Sequence, residues 1–215
     1  MKLYTFFRSG TAHRVRIALN LKGLSAQHIP VNLAIDAQLE SAYAQVNAQK
    51  LVPTLDVDGH LFMQSPAILE WLDETYPEPA LLPRDAADRA RVRALAAVIG
   101  CDVHPINNRR ILQVLRKQFG ADEAAVNAWC GRWITDGFDA YEAWLGQDTQ
   151  RGDFSFGHAP SMADLYLIPQ IESARRFQVD LSRWPLIGGV EQACMALPAF
   201  MDAAPMRQAD APKPA

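Results

Sequence analysis

The 215-residue sequence predicts a small α/β domain followed by an all-α domain, and three observations lead there. Residues 1–76 alternate strand-like and helix-like segments in the order β-α-β-α-β-β-α. Prolines then gather at Pro77, Pro79 and Pro83, where neither period continues. Beyond them every long apolar pattern repeats at helical spacing.

Taken in order, Lys2 to Phe7 is a short apolar-aromatic run that reads as a buried strand. Arg8-Ser9-Gly10-Thr11 breaks it, and Ala12 to Lys22 carries Val15, Ala18 and Leu19 at helical spacing before the stop at Gly23. Gln27 to Leu33 alternates Ile29, Val31 and Leu33 as a second strand. Ala37 to Val46 is weakly helical. Thr54 to Val57 and His60 to Met63 flank Asp58-Gly59, a strong two-residue hairpin turn. Ser65 as cap and Pro66 at the first helical position open a helix over Ala67 to Tyr76. A parallel pair joined through a helix, then a hairpin and a packing helix, is the thioredoxin-like topology. Residues 1–80 are therefore assigned to a thioredoxin-like domain and 86–215 to an all-helical one. The latter's main stretches are Asp85 to Leu115 (interrupted by Gly100 and Pro105), Asp122 to Leu145 and Ser161 to Arg176. Shorter helices run to about Ala204, and the polar, proline-bearing tail from Met206 is expected to fray.

Composition removes several function classes. Lys and Arg number 21 and Asp and Glu 24, so no global field draws the chain to nucleic acid or anionic lipid. No apolar run approaches the roughly 20 residues of a membrane span. The N-terminus is expected to enter structure directly, without a signal peptide. The three cysteines, Cys101, Cys130 and Cys194, form no CxxC, and the N-terminal third has none. That argues for a reducing, cytoplasmic compartment, and against a disulfide framework, a zinc ribbon and a self-contained dithiol enzyme, and no metal is expected. Any thiol chemistry draws its thiol from elsewhere.

The candidate residues each carry a plain structural reading and a functional one. Ser9 or Thr11 caps the first helix, or donates to a thiolate at the positive end of that helix and lowers its pKa. Pro53 starts a strand. In this topology a cis Val52-Pro53 bond also turns the Val52 backbone outward to pair with an extended peptide. Gln64-Ser65 begins a helix that can also hold a carboxylate at its N-terminus. His104 and Asn108, four apart, share a helical face with Cys101 beside a kink at Pro105, and Arg109 and Arg110 differ by about 100° so that one alone points fully into a site. Arg175-Arg176 suits a helix C-terminus, or anchors an anion. Ser161-x-x-Asp164 reads as a folding signal, and Tyr4, Trp71, Trp129, Trp133 and Trp144 as packing.

Arg8-Ser9-Gly10-Thr11-Ala12-His13-Arg14-Val15-Arg16-Ile17-Ala18-Leu19 resembles the zeta-class glutathione transferase signature Ser-Ser-Cys-x-x-Arg-Val-Arg-Ile-Ala-Leu. Asn47 to Leu55, Gln64-Ser65-Pro66-Ala67-Ile68 and Gly157 to Asp164 are similar to that family's asparagine-to-proline loop, γ-glutamyl-binding segment and helix-capping motif. Gly100 to Leu112 looks most like the maleylpyruvate isomerase branch of the class. The likeness runs from Lys2 to about Pro205. Thr11 stands where the family has cysteine and Gly10 where it has a second serine, which leaves open whether Ser9 or Thr11 activates the thiol.

The resemblance implies glutathione as cofactor and a homodimer. It implies isomerisation of maleylpyruvate to fumarylpyruvate, or alternatively maleylacetoacetate isomerisation or zeta-class transfer to small α-halo acids. A thiolate that adds to the cis double bond makes it single, rotation follows, and elimination returns the trans alkene. Arg8, Arg110 and Arg176 are expected on the carboxylates of the dicarboxylate substrate. Gln49, Val52, Pro53, Gln64, Ser65, His104, Asn108 and Arg109 are expected on glutathione.

Overall fold

A computed structural model describes residues 1–148 and 151–213. Strand β1 covers Lys2–Thr5, and the expected run to Phe7 stops short because the backbone of Phe6 and Phe7 is taken by side chains instead of a ladder. Strands β2 (Gln27–Pro30), β3 (Thr54–Val57) and β4 (His60–Met63) complete a sheet in the order β2-β1-β3-β4. Strand β1 runs parallel to β2 and antiparallel to β3, and β3 pairs with β4 as a hairpin. Asp58 (φ 52°) and Gly59 (φ 89°) are both left-handed, as the tight hairpin turn requires. Strand β2 ends three residues before the expected Leu33. The Asn32 side chain accepts from Ala34 N–H at 2.9 Å and starts a single turn there.

Helix α1 (Gly10–Leu21) is buried on all sides from Ala12 to Leu19. It packs on α3 (Ser65–Thr75) and α9 (Pro198–Ala203), so that His13, Arg14 and Arg16 are buried along with its apolar residues. Short α2 (Ser41–Val46) lies between β2 and β3. Buried Lys22 ends α1 and donates to Asp73 Oδ1 (3.1 Å) and to the carbonyls of Tyr76 (2.6 Å) and Pro79 (3.0 Å), tying down the proline-rich break.

The chain divides into two units, one of Met1–Leu81 together with the segment from Met195 onward, the other Leu82–Cys194. The expected helical domain of 86–215 is corrected here, and so is the fraying tail. Asn20 Nδ2 donates to Ala199 O (2.9 Å), Arg16 Nε to Ala203 O (3.0 Å), and Phe7 N–H to Asp210 Oδ2 (2.8 Å), so the C-terminal segment belongs with the sheet. A buried guanidinium must find acceptors, and the end of α9 supplies one. Pro214 and Ala215 lie outside the described residues.

The second unit contains α4 (Ala86–Ala97), a π-helical turn at Val98–Val103, α5 (Arg109–Phe119), α6 (Glu123–Gln147), α7 (Met162–Arg176) and nearly all of α8 (Pro185–Met195). Asp85, Asn108 and Asp122 cap α4, α5 and α6 with their side chains. Ser161 and Asp164 form the expected capping box on α7. Asp164 also accepts from the Ser155 amide at 2.8 Å, which makes this buried carboxylate a hub of folding and not of chemistry. Ile99, Val126, Ile134, Phe138, Tyr141 and Leu165 fill the core. Trp144, expected to pack, is 43 % exposed.

Candidate functional site

In the first unit the expected residues gather where β1 hands over to α1. Ser9 caps α1, its hydroxyl accepting from Ala12 N–H at 3.2 Å. The Thr11 hydroxyl lies 2.9 Å from Val52 O. A carbonyl only accepts, so the single Thr11 proton is committed to Val52. The Ser9 and Thr11 oxygens are 3.0 Å apart, and the proton between them therefore comes from Ser9. The result is a directed chain from Ala12 N–H through Ser9 and Thr11 to Val52 O. Ser9 can swing its proton to an incoming acceptor at the cost of one hydroxyl rotation. Thr11 cannot do so without releasing Val52.

The Val52–Pro53 peptide is cis, as expected. Val52 is buried, and its amide has no partner among the described residues. The loop before it is braced by Tyr43 and Asn47, which donate to Leu51 O at 2.7 and 2.9 Å. Burial pushes the Tyr43 phenol up, keeping it a donor at neutral pH.

Gln64 Nε2 donates to Gln49 Oε1 at 2.5 Å, which brings these two expected residues together. Gln64 has φ 66° and ψ 114°, a conformation a non-glycine residue adopts only when its surroundings impose it. Gln64, not Ser65, occupies the cap position of α3, which corrects the expected cap by one residue. Ser65 is buried in the first turn, and its hydroxyl accepts from Arg14 Nη1 at 3.3 Å. Arg8 is exposed and stands over the Phe7 ring at 5.8 Å.

In the second unit the helix breaks more completely than the expected kink. The π-helical turn closes at Val103, residues 104–108 form a turn, and α5 starts afresh at Arg109. Pro105 has no N–H to continue the ladder, and Asn108 uses its side chain on Arg110 N–H (3.1 Å) as a cap. His104 and Asn108 therefore do not share a helical face, contrary to expectation. Helix α6 holds this turn: Trp129 Nε1 donates to Ile106 O (3.3 Å), and Cys130 O accepts from Asn107 Nδ2 (3.4 Å). The π turn is seated by contact. A Cβ on Gly137 would lie 2.3 Å from Val103 Cγ2, and one on Gly100 2.7 Å from the Tyr166 ring.

The adjacent arginines diverge as their helical angle demands. Arg109 turns along its own helix, where both amino groups reach the Gln113 amide oxygen at 2.9 Å once that amide is oriented to accept. Arg110 is exposed and meets no acceptor through its guanidinium among the described residues. Arg176, also exposed, stacks 4.5 Å over the Phe177 ring and reaches Ser173 Oγ at 3.2 Å. Its neighbour Arg175 forms an ion pair with Glu191 and Glu172. Burial pushes the thiol of Cys130 up to about 11 and that of Cys194 higher still, so neither supplies a thiolate at neutral pH.

Two residues that shape the site escaped sequence reasoning. Arg16 is 1 % exposed beneath the β1–α1 loop, and Asp210 holds that loop from the C-terminal segment. A cation between the apolar residues Val15 and Ile17 was the available signal for Arg16. Asp210 had none.

A thioredoxin-like sheet with a hydroxyl pair at a helix N-terminus, in a chain that also carries a helical unit, defines a glutathione transferase architecture. Residues 3–80 match the family model "Glutathione S-transferase, N-terminal domain". The chain is similar to the maleylpyruvate isomerase of Ralstonia sp, 62% identical over 210 residues, or 98% of this chain and 99% of that one. It is similar to the solved holo structure of maleyl pyruvate isomerase, a bacterial zeta-class glutathione-S-transferase, with TM-score 0.98, 61% identity and coverage of 99% and 100%. A maleylacetoacetate isomerase from Anaeromyxobacter dehalogenans 2CP-1, solved with dicarboxyethyl glutathione and citrate in its active site, has TM-score 0.88, 42% identity and coverage of 99% and 94%. The chain belongs to the glutathione transferase family, in its zeta class.

Proposed function

We propose that this chain is a glutathione-dependent isomerase that converts maleylpyruvate to fumarylpyruvate, its thioredoxin-like unit binding glutathione and its helical unit binding the acid. The observation that carries the reading is the Ser9 hydroxyl, a donor at a helix N-terminus with a transferable proton, in a chain whose buried thiols are held protonated. The donor set fits glutathione: a hydroxyl for the sulfur, the unpartnered Val52 amide for an extended peptide, and the N-terminus of α3 for an ionised end. When bound, glutathione supplies a soft nucleophile that can add to an activated double bond and leave again.

The chain's own groups then have distinct tasks. Ser9 turns its proton to the sulfur and favours the charged form, aided by the α1 dipole. Thr11 stays on Val52 O and, with Pro53, fixes the edge on which the peptide lies. Gln49, Gln64 and Ser65 take the end of the peptide at α3, and His104, Asn108 and Arg109 are kept as candidate glutathione-binding residues. Arg8, Arg110 and Arg176 bind the carboxylates and offset the negative charge that builds up beside them. A cytoplasmic location fits the three free cysteines, and among the described residues no helix is long and apolar enough to cross a membrane. A homodimer fits the apolar β4 edge, where Leu61 and Met63 are each 38 % exposed. Light scattering at twice the chain mass would support it.

The test is a substrate panel of maleylpyruvate, maleylacetoacetate and a chloroacid, each with and without glutathione. Isomerisation of maleylpyruvate, fastest of the three and absent without the thiol, is expected. Conjugated chloroacid as the main product would replace the reading with a dehalogenating transferase. Faster turnover of maleylacetoacetate would replace the substrate, and glutathione binding without turnover would leave a binding module. In the same assay Ser9→Ala should lower kcat by about tenfold or more, roughly 1.4 kcal/mol in barrier. Thr11→Ala should act on the KM for glutathione instead. Equal kcat losses in the two variants would undo this division of labour.

A further inference from the structure

We infer that Asp210, in the C-terminal segment, is a positioning residue for the loop that carries Arg8 and Ser9. The inference rests on the function proposed above, because it concerns the aim of those two side chains.

The loop is held by Phe7 from two sides. Its N–H donates to Asp210 Oδ2 at 2.8 Å, across 203 residues of sequence, and its carbonyl accepts from Arg16 Nη2 at 3.0 Å. Phe6 O accepts from Arg16 Nη1 at 3.4 Å and from Ser9 N–H at 3.0 Å. Both polar backbone atoms of Phe7 are therefore fixed, and the next two residues are Arg8 and Ser9. With the peptide on each side of Phe7 pinned, Arg8 leaves the loop in one direction and Ser9 meets Ala12 and Thr11 in one register.

The carboxylate comes from a folded hook. Gln208 Nε2 donates to Asp202 O (2.8 Å) and Ala204 O (3.0 Å), and Ala211 N–H to Gln208 O (3.0 Å). The anion also lies near enough to Arg16 to favour its charged form against burial. His28 on β2 faces the same pair, its imidazole held below its usual range by burial and by Arg16, with Asp210 opposing.

Losing this carboxylate leaves the fold its other anchors. Strand β1 still pairs with β2 and β3, and Arg16 still holds Ala203 O. What goes is the grip on Phe7 N–H, together with the anion's support of the Arg16 charge. A displacement of about 1 Å at a reacting group can cost up to about a hundredfold in rate.

Asp210→Ala and Asp210→Asn separate the hydrogen bond from the charge, since an asparagine Oδ1 still accepts from Phe7 N–H. Asp210→Ala should lower kcat about tenfold with the KM for glutathione changed less than about twofold. The pKa of the bound thiol, titrated by thiolate ultraviolet absorption, should rise in this variant. Asp210→Asn should recover kcat to within about twofold of the parent. An Asp210→Ala protein with unaltered kcat and thiol titration would overturn the inference, as would Asp210→Asn falling as far as the alanine. If the parent isomerises no maleyl acid, the proposed function fails, and the thiol titration across the same variants still decides the role of Asp210. Should the alanine variant not fold, Asp210→Asn decides alone, with parental kcat supporting the hydrogen bond and a tenfold loss refuting it.

Discussion

Arg16→Met should lower the stability of the fold by about 4 kcal/mol, because the side chain is a buried cation most of whose partners have no substitute. It is 1 % exposed and donates to Ala203 O, Thr5 Oγ1, Phe6 O and Phe7 O at 3.0–3.4 Å. Burial brings its pKa down to about 10, opposed by Asp210, so it remains charged at neutral pH. Methionine keeps the length and apolar stem but takes the donor from Ala203 O, Phe7 O and Thr5 Oγ1, each costing about 1–3 kcal/mol where water cannot reach it, while Phe6 O keeps the Ser9 N–H. Lysine should rescue little, since one ammonium cannot span acceptors arranged around a planar fork. Urea unfolding measures the difference. A loss under about 1 kcal/mol would mean that the acceptors find water and that the clamp is dispensable.

Acid should destabilise the chain through His13. The residue is 2 % exposed, its Nε2 has no partner, and its pKa is lowered to about 3, first by burial and then by Arg16 and Arg14. Between that value and the ordinary 6.5 of an unfolded histidine, the unfolded chain binds a proton that the folded chain refuses. The contribution of His13 to stability is therefore complete above pH 6.5 and is lost as pH falls toward 3, at about 1.4 kcal/mol per pH unit and on the order of 5 kcal/mol in all. Stability measured against pH for the parent and for His13→Leu isolates this group, since the other titrations cancel in the difference. A difference curve flat from pH 6.5 to 3 would refute it.

The fold was largely legible in the sequence because its signals are local. The turn at Asp58-Gly59, the helix starts at Asp85 and Asp122, and the Ser161–Asp164 box lie where they were expected. Each depends on residues within a few positions of one another. Misreadings arose where side chains compete with the ladder. Asn32 cuts β2 short, Gln64 displaces Ser65 from the cap of α3, and Asn108 restarts a helix where only a kink at Pro105 was expected. A hydrophobic period reports which face is buried, and it is blind to an asparagine side chain that takes over a backbone hydrogen bond three residues after a proline.

For the site, the sequence by itself determined which chemical groups stand at the two helix N-termini and that the chain borrows its thiol. Ser9, Thr11, Val52 and Gln64 are identified by their positions relative to strands and helices. Only the tertiary structure decided the direction of the Ser9 proton, because that direction depends on the Val52 carbonyl, 41 positions away along the chain. It also decided that the C-terminal segment joins the first unit, through the demand of the Arg16 guanidinium for acceptors and the grip of Asp210 on Phe7. Periodicity and capping are properties of neighbours in sequence. The pairing of a buried charge or an open amide with a partner far along the chain exists only once the chain has folded.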